Sequence, residues 1–303
     1  MKNKIKKLIN NIFKVFLALI PNKKLRAKLK ADWTKLYLKK YVSIAVQNYK
    51  EPENKPYDNN PPIIQYWEQG IENAPNVVKT CINSIDKFEP DRKHIVLDFK
   101  TIEDYVEIPP FIYDLKKQGK ISYAQFSDIL RSCLLATTPC IWVDSTILFT
   151  GSLPNYIKEN DFFMYKGIKK SPENFAGANY FISSKTPNAL LIQLKESILN
   201  YWKDNDFLIS YFTHPHYITL LTKYNENLWN KVPTIDEALT LQFSKILFEK
   251  FDEKRCEEIK KLCPVHKLSY KIPKKLNCKI EETFYFKLLG ENNAWNFNYN
   301  PCL

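Results

Sequence analysis

Asp128, Arg131 and Asp144 are the residues of this 303-residue chain whose types and spacing best suit chemistry. Asp128 and Arg131 sit in Phe126-Ser127-Asp128-Ile129-Leu130-Arg131, three apart on an expected helix, so both side chains project from one face. Asp144 ends the apolar run Cys140-Ile141-Trp142-Val143, which reads as a buried strand. The carboxyl edge of such a strand is where open α/β sheets bind ligands. An acid–base pair on a helix can grip a sugar while the strand-end acid faces a metal-bound diphosphate. The purely structural alternative is an i,i+3 pair worth about 0.2–0.5 kcal/mol beside a carboxylate that caps a turn.

The elements that must position these residues alternate between two hydrophobic periods. Ile63–Trp67 and His94–Asp98 read as strands, and Ile147-Leu148-Phe149 follows Asp144 as another. Between them, Pro75 opens a helix with the buried stripe Val77, Val78, Cys81, Ile82 and Ile85. Pro109-Pro110 opens a short helix, and Ser122 caps the helix that carries Asp128 and Arg131. Strand–helix–strand alternation predicts an α/β fold with a parallel sheet. Further strands are expected at Phe162–Tyr165, Tyr180–Ser183 and Lys267–Lys271, with a helix over Pro187–Trp202 and a helical section near 205–255.

Charge divides the chain unevenly. The net charge is +12, yet residues 1–50 hold 14 Lys or Arg against the single acid Asp32, leaving 31 basic and 32 acidic residues for the rest. A nucleic-acid binder spreads basic surface over its folded body and interleaves stacking aromatics, so a nucleic-acid partner is not expected. The basic segment instead reads as an amphipathic arm. Ile5, Leu8, Ile9, Ile12, Phe13, Phe16, Leu17 and Ile20 recur at helical spacing among lysines, and the run from Leu8 to Ile20 is too short and too charged to span a bilayer. An anionic membrane surface is the expected partner of residues 1–40. Pro21-Asn22-Lys23-Lys24 follows, not a small-residue cleavage site, which disfavours a signal peptide. The expected divisions are a basic arm (1–50), a proline-rich linker (51–62), one catalytic domain (63–290) and an irregular tail (291–303).

Composition excludes other classes. Hydrophobic residues make up 45% and aromatic residues 14%, enough for a sizeable core. With only 6 Gly there is no Gly-rich phosphate loop. The seven Cys form no CxxC pair, so neither a disulfide framework nor a zinc site is expected, and Cys81, Cys133 and Cys140 read as core thiols of a reduced, cytoplasmic protein.

Several ordered blocks together carry a family resemblance: IIQYWEQGIENAPNVVKTCINSI, HIVLD, GKISYAQFSDILRSCLL and IWVDSTILF, with weaker echoes in NYFISSK, LWNKVP and CPVHKLSYK. The chain resembles the capsular polysaccharide synthesis glycosyltransferases. These are similar to a wider group of DxD-type sugar transferases that includes the yeast-type mannosyltransferases and the clostridial glucosylating toxins. The resemblance implies a GT-A type fold, a Rossmann-like mixed sheet flanked by helices. It also implies a nucleotide-sugar donor, a glycan or lipid-linked acceptor, retention of configuration, and a site at the cytoplasmic face of a bacterial inner membrane. Residue by residue, it places Trp67 near the nucleotide base with Ile64 and Gln65 beside it. Asp128 and Arg131 fall on donor sugar and phosphate, and Asp144 in the metal motif. Asn179 would face donor or acceptor, with Gly177 permitting close approach.

The chain departs from a full DxD motif, because Thr146 stands where a second acid would be. A divalent cation, Mn²⁺ or Mg²⁺, is therefore expected to be held largely through the donor diphosphate, with Asp144 and a late histidine. His266 is the preferred candidate; His214 and His216 flank Pro215, which suggests a loop. Ser210 replaces an Asp found in relatives. The alternative is a non-catalytic glycan-binding or scaffolding member of the same fold.

Overall fold

The computed structural model describes residues 2–167, 172–271, 273 and 275–289, so the expected irregular tail lies outside the described residues. The elements run α1 (Lys2–Ala18), α2 (Lys23–Gln47), β1 (Ile63–Tyr66), α3 (Asn76–Phe88), β2 (His94–Leu97), α4 (Pro110–Lys117), α5 (Tyr123–Thr137), β3 (Cys140–Val143) and β4 (Ile147–Phe149). They continue α6 (Asn155–Lys158), β5 (Phe162–Lys166), β6 (Gly177–Ser184), α7 (Ala189–Asp204), α8 (Thr213–Leu221), α9 (Glu226–Lys231), α10 (Gln242–Ile246), α11 (Glu253–Leu262), β7 (Val265–Lys267) and α12 (Phe284–Leu289).

The fold is mixed α/β. A five-stranded sheet has the order β2-β1-β3-β6-β5, with β1 parallel to both β2 and β3 and with β6 antiparallel to β3 and β5. The parallel strands are joined by helices, as their crossover connections require. All four residues of β1 and of β3 are buried, which explains their unbroken apolar runs. A second small sheet pairs β4 with β7, bringing the region around residue 266 beside the loop that follows Asp144.

Helix α5 starts where its sequence directs. Ser122 accepts from the Gln125 backbone N–H, and the Gln125 side chain accepts in return from the Ser122 backbone, a capping box that fixes the first turn. Its faces at Phe126, Ile129, Leu130, Cys133 and Leu134 are buried against the core. This packing sets the rotation of α5 and so aims Asp128 and Arg131 toward the end of β3.

One expectation about the N-terminus is corrected. Residues 1–50 are not a single surface arm, because α2 belongs to the globular body. It buries Ala31, Thr34, Leu38, Tyr41, Val42 and Ala45, and the Tyr37 hydroxyl donates to Asn205 at 2.6 Å. Those buried positions recur at helical spacing beneath the lysines, which occupy the opposite face. Only α1 has the predicted surface character. Ile5, Leu8, Ile9, Ile12, Val15, Phe16 and Leu19 are exposed along it, while Leu17 is buried and Phe13 stacks on Trp33 at 4.5 Å. The linker is also pinned to the body, since the Asp58 N–H donates to the Lys185 carbonyl and Lys185 Nζ donates to Asn59. Among the described residues no helix is long and apolar enough to cross a membrane.

Candidate active site

Four charged side chains meet at the carboxyl end of β3. Arg131 donates to Asp128 Oδ1 at 2.6 Å and lies 3.3 Å from Asp144 Oδ1. Its Nη1 also donates to the backbone carbonyl of Asn179. Lys267 Nζ donates to Asp144 Oδ2 at 2.7 Å, and the indole N–H of Trp142 donates to Asp144 Oδ1 at 3.0 Å. The guanidinium of Arg131 lies over the Trp142 ring at 5.2 Å, and the ammonium of Lys267 over the Tyr180 ring at 5.4 Å. Asp128, Asp144 and Lys267 keep 20%, 24% and 25% of their side-chain surface, whereas Arg131 keeps 5%. The arginine is therefore the fixed centre and the other three form the open face.

Environment pushes the two carboxyls apart. For Asp144, burial acts to raise the carboxyl, but Lys267 and Arg131, together with the hydrogen bonds from Lys267 and Trp142, hold it below the usual carboxylate range. Asp128 is pushed up to about 7, because burial and the nearby Asp144 charge outweigh Arg131. Separated carboxyls of this kind mark different roles for chemically identical groups.

His214 supports this network from behind. It is buried, its Nε2 lies 3.1 Å from Ser132 Oγ, and its Nδ1 lies 3.4 Å from the Asn179 amide nitrogen. Since Ser132 Oγ donates to the Asp128 carbonyl, its lone pairs accept from His214 Nε2–H, and Nδ1 is left to accept from Asn179. Burial, aided by Arg131, pushes the imidazole well below its ordinary range, so it stays neutral. His214 thus ties α5 to β6 and α8. The expected loop at His214-Pro215-His216 is instead the first turn of α8, where the missing N–H of Pro215 has no partner to lose. Two positions apart on a helix, the two histidines point in different directions.

The other predicted residues separate into those at the site and those away from it. Trp67 follows β1, half-buried, with its ring edge-on to Tyr270 at 5.9 Å and its indole N–H buried without a partner. Ile64 and Gln65 are fully buried in β1. Gln65 is committed to structure, its Oε1 accepting from His94 Nε2–H (3.0 Å) and its amide N–H donating to the Asp144 carbonyl (3.3 Å), so neither residue is open to a nucleotide. Asn179 contributes through its backbone carbonyl and its amide, as above. Gly177 lacks a side chain for packing, because an added Cβ would lie 3.0 Å from Trp229 and 3.2 Å from the Tyr165 carbonyl. Ser210 is buried in the turn before α8, its carbonyl accepting from Thr213. Cys81, Cys133 and Cys140 are buried core thiols, and burial pushes the latter two up to about 12, so none is a nucleophile.

His266 is not brought to Asp144. It is fully buried, with Nε2 2.9 Å from Thr150 Oγ1 and its ring against Phe243 at 4.5 Å, and burial lowers it to about 3. The alternation of β7 turns the next residue, Lys267, to the opposite side and onto Asp144. Lys267 is the residue that sequence reasoning missed. Its signal was present: a basic residue ending a short buried strand needs a partner.

The donor set does not fit a resident divalent ion. Both oxygens of Asp144 are engaged by cations or by the Trp142 N–H, and Thr146 offers no second carboxylate. Among the described residues no group of three His, Cys, Asp or Glu side chains converges on a point. A hard cation at Asp144 would sit against two positive charges.

Comparison with known proteins identifies the family. A family model described as capsular polysaccharide synthesis protein matches residues 16–288. A solved structure titled "PaToxG Glycosyltransferase" is similar at 14% identity with a TM-score of 0.39, covering 68% of this chain and 83% of that one. No curated protein matches. The family match runs from the end of α1 into α12 and takes in every strand and all four charged residues of the site; the chain belongs to the capsular polysaccharide synthesis protein family.

Proposed function

We propose that this chain is a glycosyltransferase that moves a sugar from a nucleotide-sugar donor to a growing surface glycan or lipid-linked acceptor. The observation that carries the reading is the Asp128–Arg131–Asp144–Lys267 network at the ligand-binding edge of the sheet, in a chain of the capsular polysaccharide synthesis family. In glycosyl transfer the bond from the anomeric carbon to the diphosphate breaks, its electron pair leaves with the diphosphate, the acceptor oxygen bonds to that carbon, and the acceptor hydroxyl's proton passes to the departing diphosphate. Charge therefore develops on the leaving oxygen. Lys267 and Arg131 supply the positive charge it needs, and their carboxylate partners hold them in place beforehand, so little reorganisation accompanies the reaction. Asp128 presents the acceptor that orients sugar hydroxyls, and Trp67 with Tyr270 offers an aromatic wall for the base.

The test is release of nucleoside diphosphate from UDP-, GDP- and CMP-sugar donors (CMP for the last) by the full chain. Turnover of one donor class supports the reading. A folded chain that turns over none would be a non-catalytic, glycan-binding member of the fold.

The state of Asp128 gives this activity a pH signature. With its carboxyl raised to about 7, Asp128 is protonated and a poorer acceptor below that pH, and ionised above it. Donor kcat/KM is expected to fall as pH drops through about 7. The inflection should vanish in Asp128→Asn, which cannot titrate; an unchanged inflection in that variant would assign it to another group.

We further propose that α1 seats the enzyme on the anionic cytoplasmic face of the membrane. Its exposed stripe, Ile5, Leu8, Ile9, Ile12, Val15, Phe16 and Leu19, is the apolar face of an interfacial helix, and its lysines suit anionic headgroups. Because the stripe faces away from the body, Ile12→Asp with Phe16→Asp leaves the core untouched. Burying each side chain is worth about 1.5–3 kcal/mol, so sedimentation with anionic liposomes should weaken by on the order of 10²-fold or more. Equal binding by the double variant would exclude α1 as the anchor.

A further inference from the structure

A second cavity lies away from the charged network, between the two N-terminal helices and the start of α8. Its volume is about 450 Å³, within the range of small-molecule sites. Lys14 of α1 and Lys23, Arg26 and Lys30 of α2 line it, and none of the four is in an ion pair with a carboxylate among the described residues. Among the described residues Glu173 is the one acid on its wall. Four cations lining one cavity against a single acid favour a multivalent anion there.

Two further features define what that anion is attached to. Leu17, Ala18 and Phe212 give the cavity apolar walls, and Leu17 and Ala18 adjoin the exposed stripe of α1 that ends at Leu19. At the back of the cavity is His216, 1% exposed, whose Nδ1 is buried with no hydrogen-bond partner. A buried ring nitrogen without a partner calls for an explanation, and a ligand atom reaching the back of the cavity would supply one. Its neighbour in α8, His214, faces the Asp128–Arg131 network through Ser132 and Asn179. One short helix thus backs both the cavity and the transfer site.

We propose that this cavity binds the phosphate or diphosphate head group of a membrane lipid, with Lys14, Lys23, Arg26 and Lys30 on the anion, His216 at its inner end and the lipid chain leaving along α1. The ligand class follows from the cavity itself; the assignment of that lipid as the sugar acceptor rests on the glycosyltransferase reading. Bound there, the head group is held at the membrane plane with its distal end toward α8 and the site beyond it.

The test is co-sedimentation of the full chain with neutral phosphatidylcholine vesicles carrying a polyprenyl diphosphate, beside vesicles matched in charge with phosphatidylglycerol. The parent is expected to bind the diphosphate vesicles at least tenfold more tightly, with inorganic pyrophosphate competing. Arg26→Gln with Lys30→Gln, surface positions that leave the core unaltered, should abolish this preference. His216→Phe, which fills the back of the cavity without adding charge, should weaken it. Equal binding to charge-matched vesicles, or a preference that survives in both variants, would overturn the site in favour of diffuse attraction to basic helices. Asp144→Asn separates the two claims. It should retain the lipid preference while losing donor turnover; donor turnover that persists in Asp144→Asn counts against the transfer site alone.

Discussion

Asp144→Asn is expected to lower donor turnover by about 10²–10³-fold, the loss typical of removing one preorganised electrostatic contact. The amide is nearly isosteric, and the Trp142 N–H can still donate to its oxygen. What changes is the charge that holds Lys267 and Arg131. An amide NH₂ facing the Lys267 ammonium opposes donor to donor, so the lysine loses its 2.7 Å anchor and its fixed position at the mouth of the site. Arg131 keeps Asp128 and the Asn179 carbonyl, so the variant should fold. The stability cost has a defined pH dependence. Because the folded carboxyl of Asp144 is held below its unfolded value, the parent's advantage over Asp144→Asn is complete above about pH 3.9 and fades as pH falls through the lower folded value. Turnover measured on a folded variant decides the matter; undiminished turnover would move the chemistry elsewhere.

Lys267→Met should reduce turnover to a similar degree, on the order of 10²–10³-fold, and the parent's own turnover should survive a chelator. Methionine keeps an apolar stem over the Tyr180 ring, so the packing of β7 is retained while the charge is lost. The prediction follows from a competition for one position. A divalent ion held by Asp144 would compete with the Lys267 ammonium for that carboxylate. If the ammonium and Arg131 meet the leaving group, metal is dispensable and the lysine is not. A parent that loses all turnover in chelator and regains it with Mn²⁺, beside an active Lys267→Met, would reverse that assignment.

Much of this arrangement was legible in the sequence, and the exceptions have physical causes. The strands holding Asp144 and the helix holding Asp128 and Arg131 announced themselves because β3 is buried on both faces and α5 has a capped, periodic stripe. Both signals are local. Lys267 was hidden because its meaning lies in a partner 123 residues away, and sequence alone does not pair β4 with β7. The same pairing decides between His266 and Lys267, since alternation in a three-residue strand sends one into the core and the other to the site. The α2 helix was misread because its lysines dominate its composition. Leu38, Tyr41 and Val42 nonetheless form a core face, which only the presence of α7 and α8 against it reveals. Gln65 looked available as a polar residue in an apolar strand, yet its amide is consumed in joining neighbouring strands.

The central claim is that the Asp128–Arg131–Asp144–Lys267 network holds the diphosphate of a nucleotide-sugar donor. Its most direct test is calorimetric titration of the parent and of Lys267→Met with UDP, GDP and CMP, each in chelator and again with Mn²⁺. The account predicts saturable binding of UDP or GDP, not of the monophosphate CMP, by the parent in chelator, and binding at least tenfold weaker in Lys267→Met. No binding of any nucleotide by a folded parent, or binding that requires Mn²⁺ and is indifferent to Lys267, would contradict it.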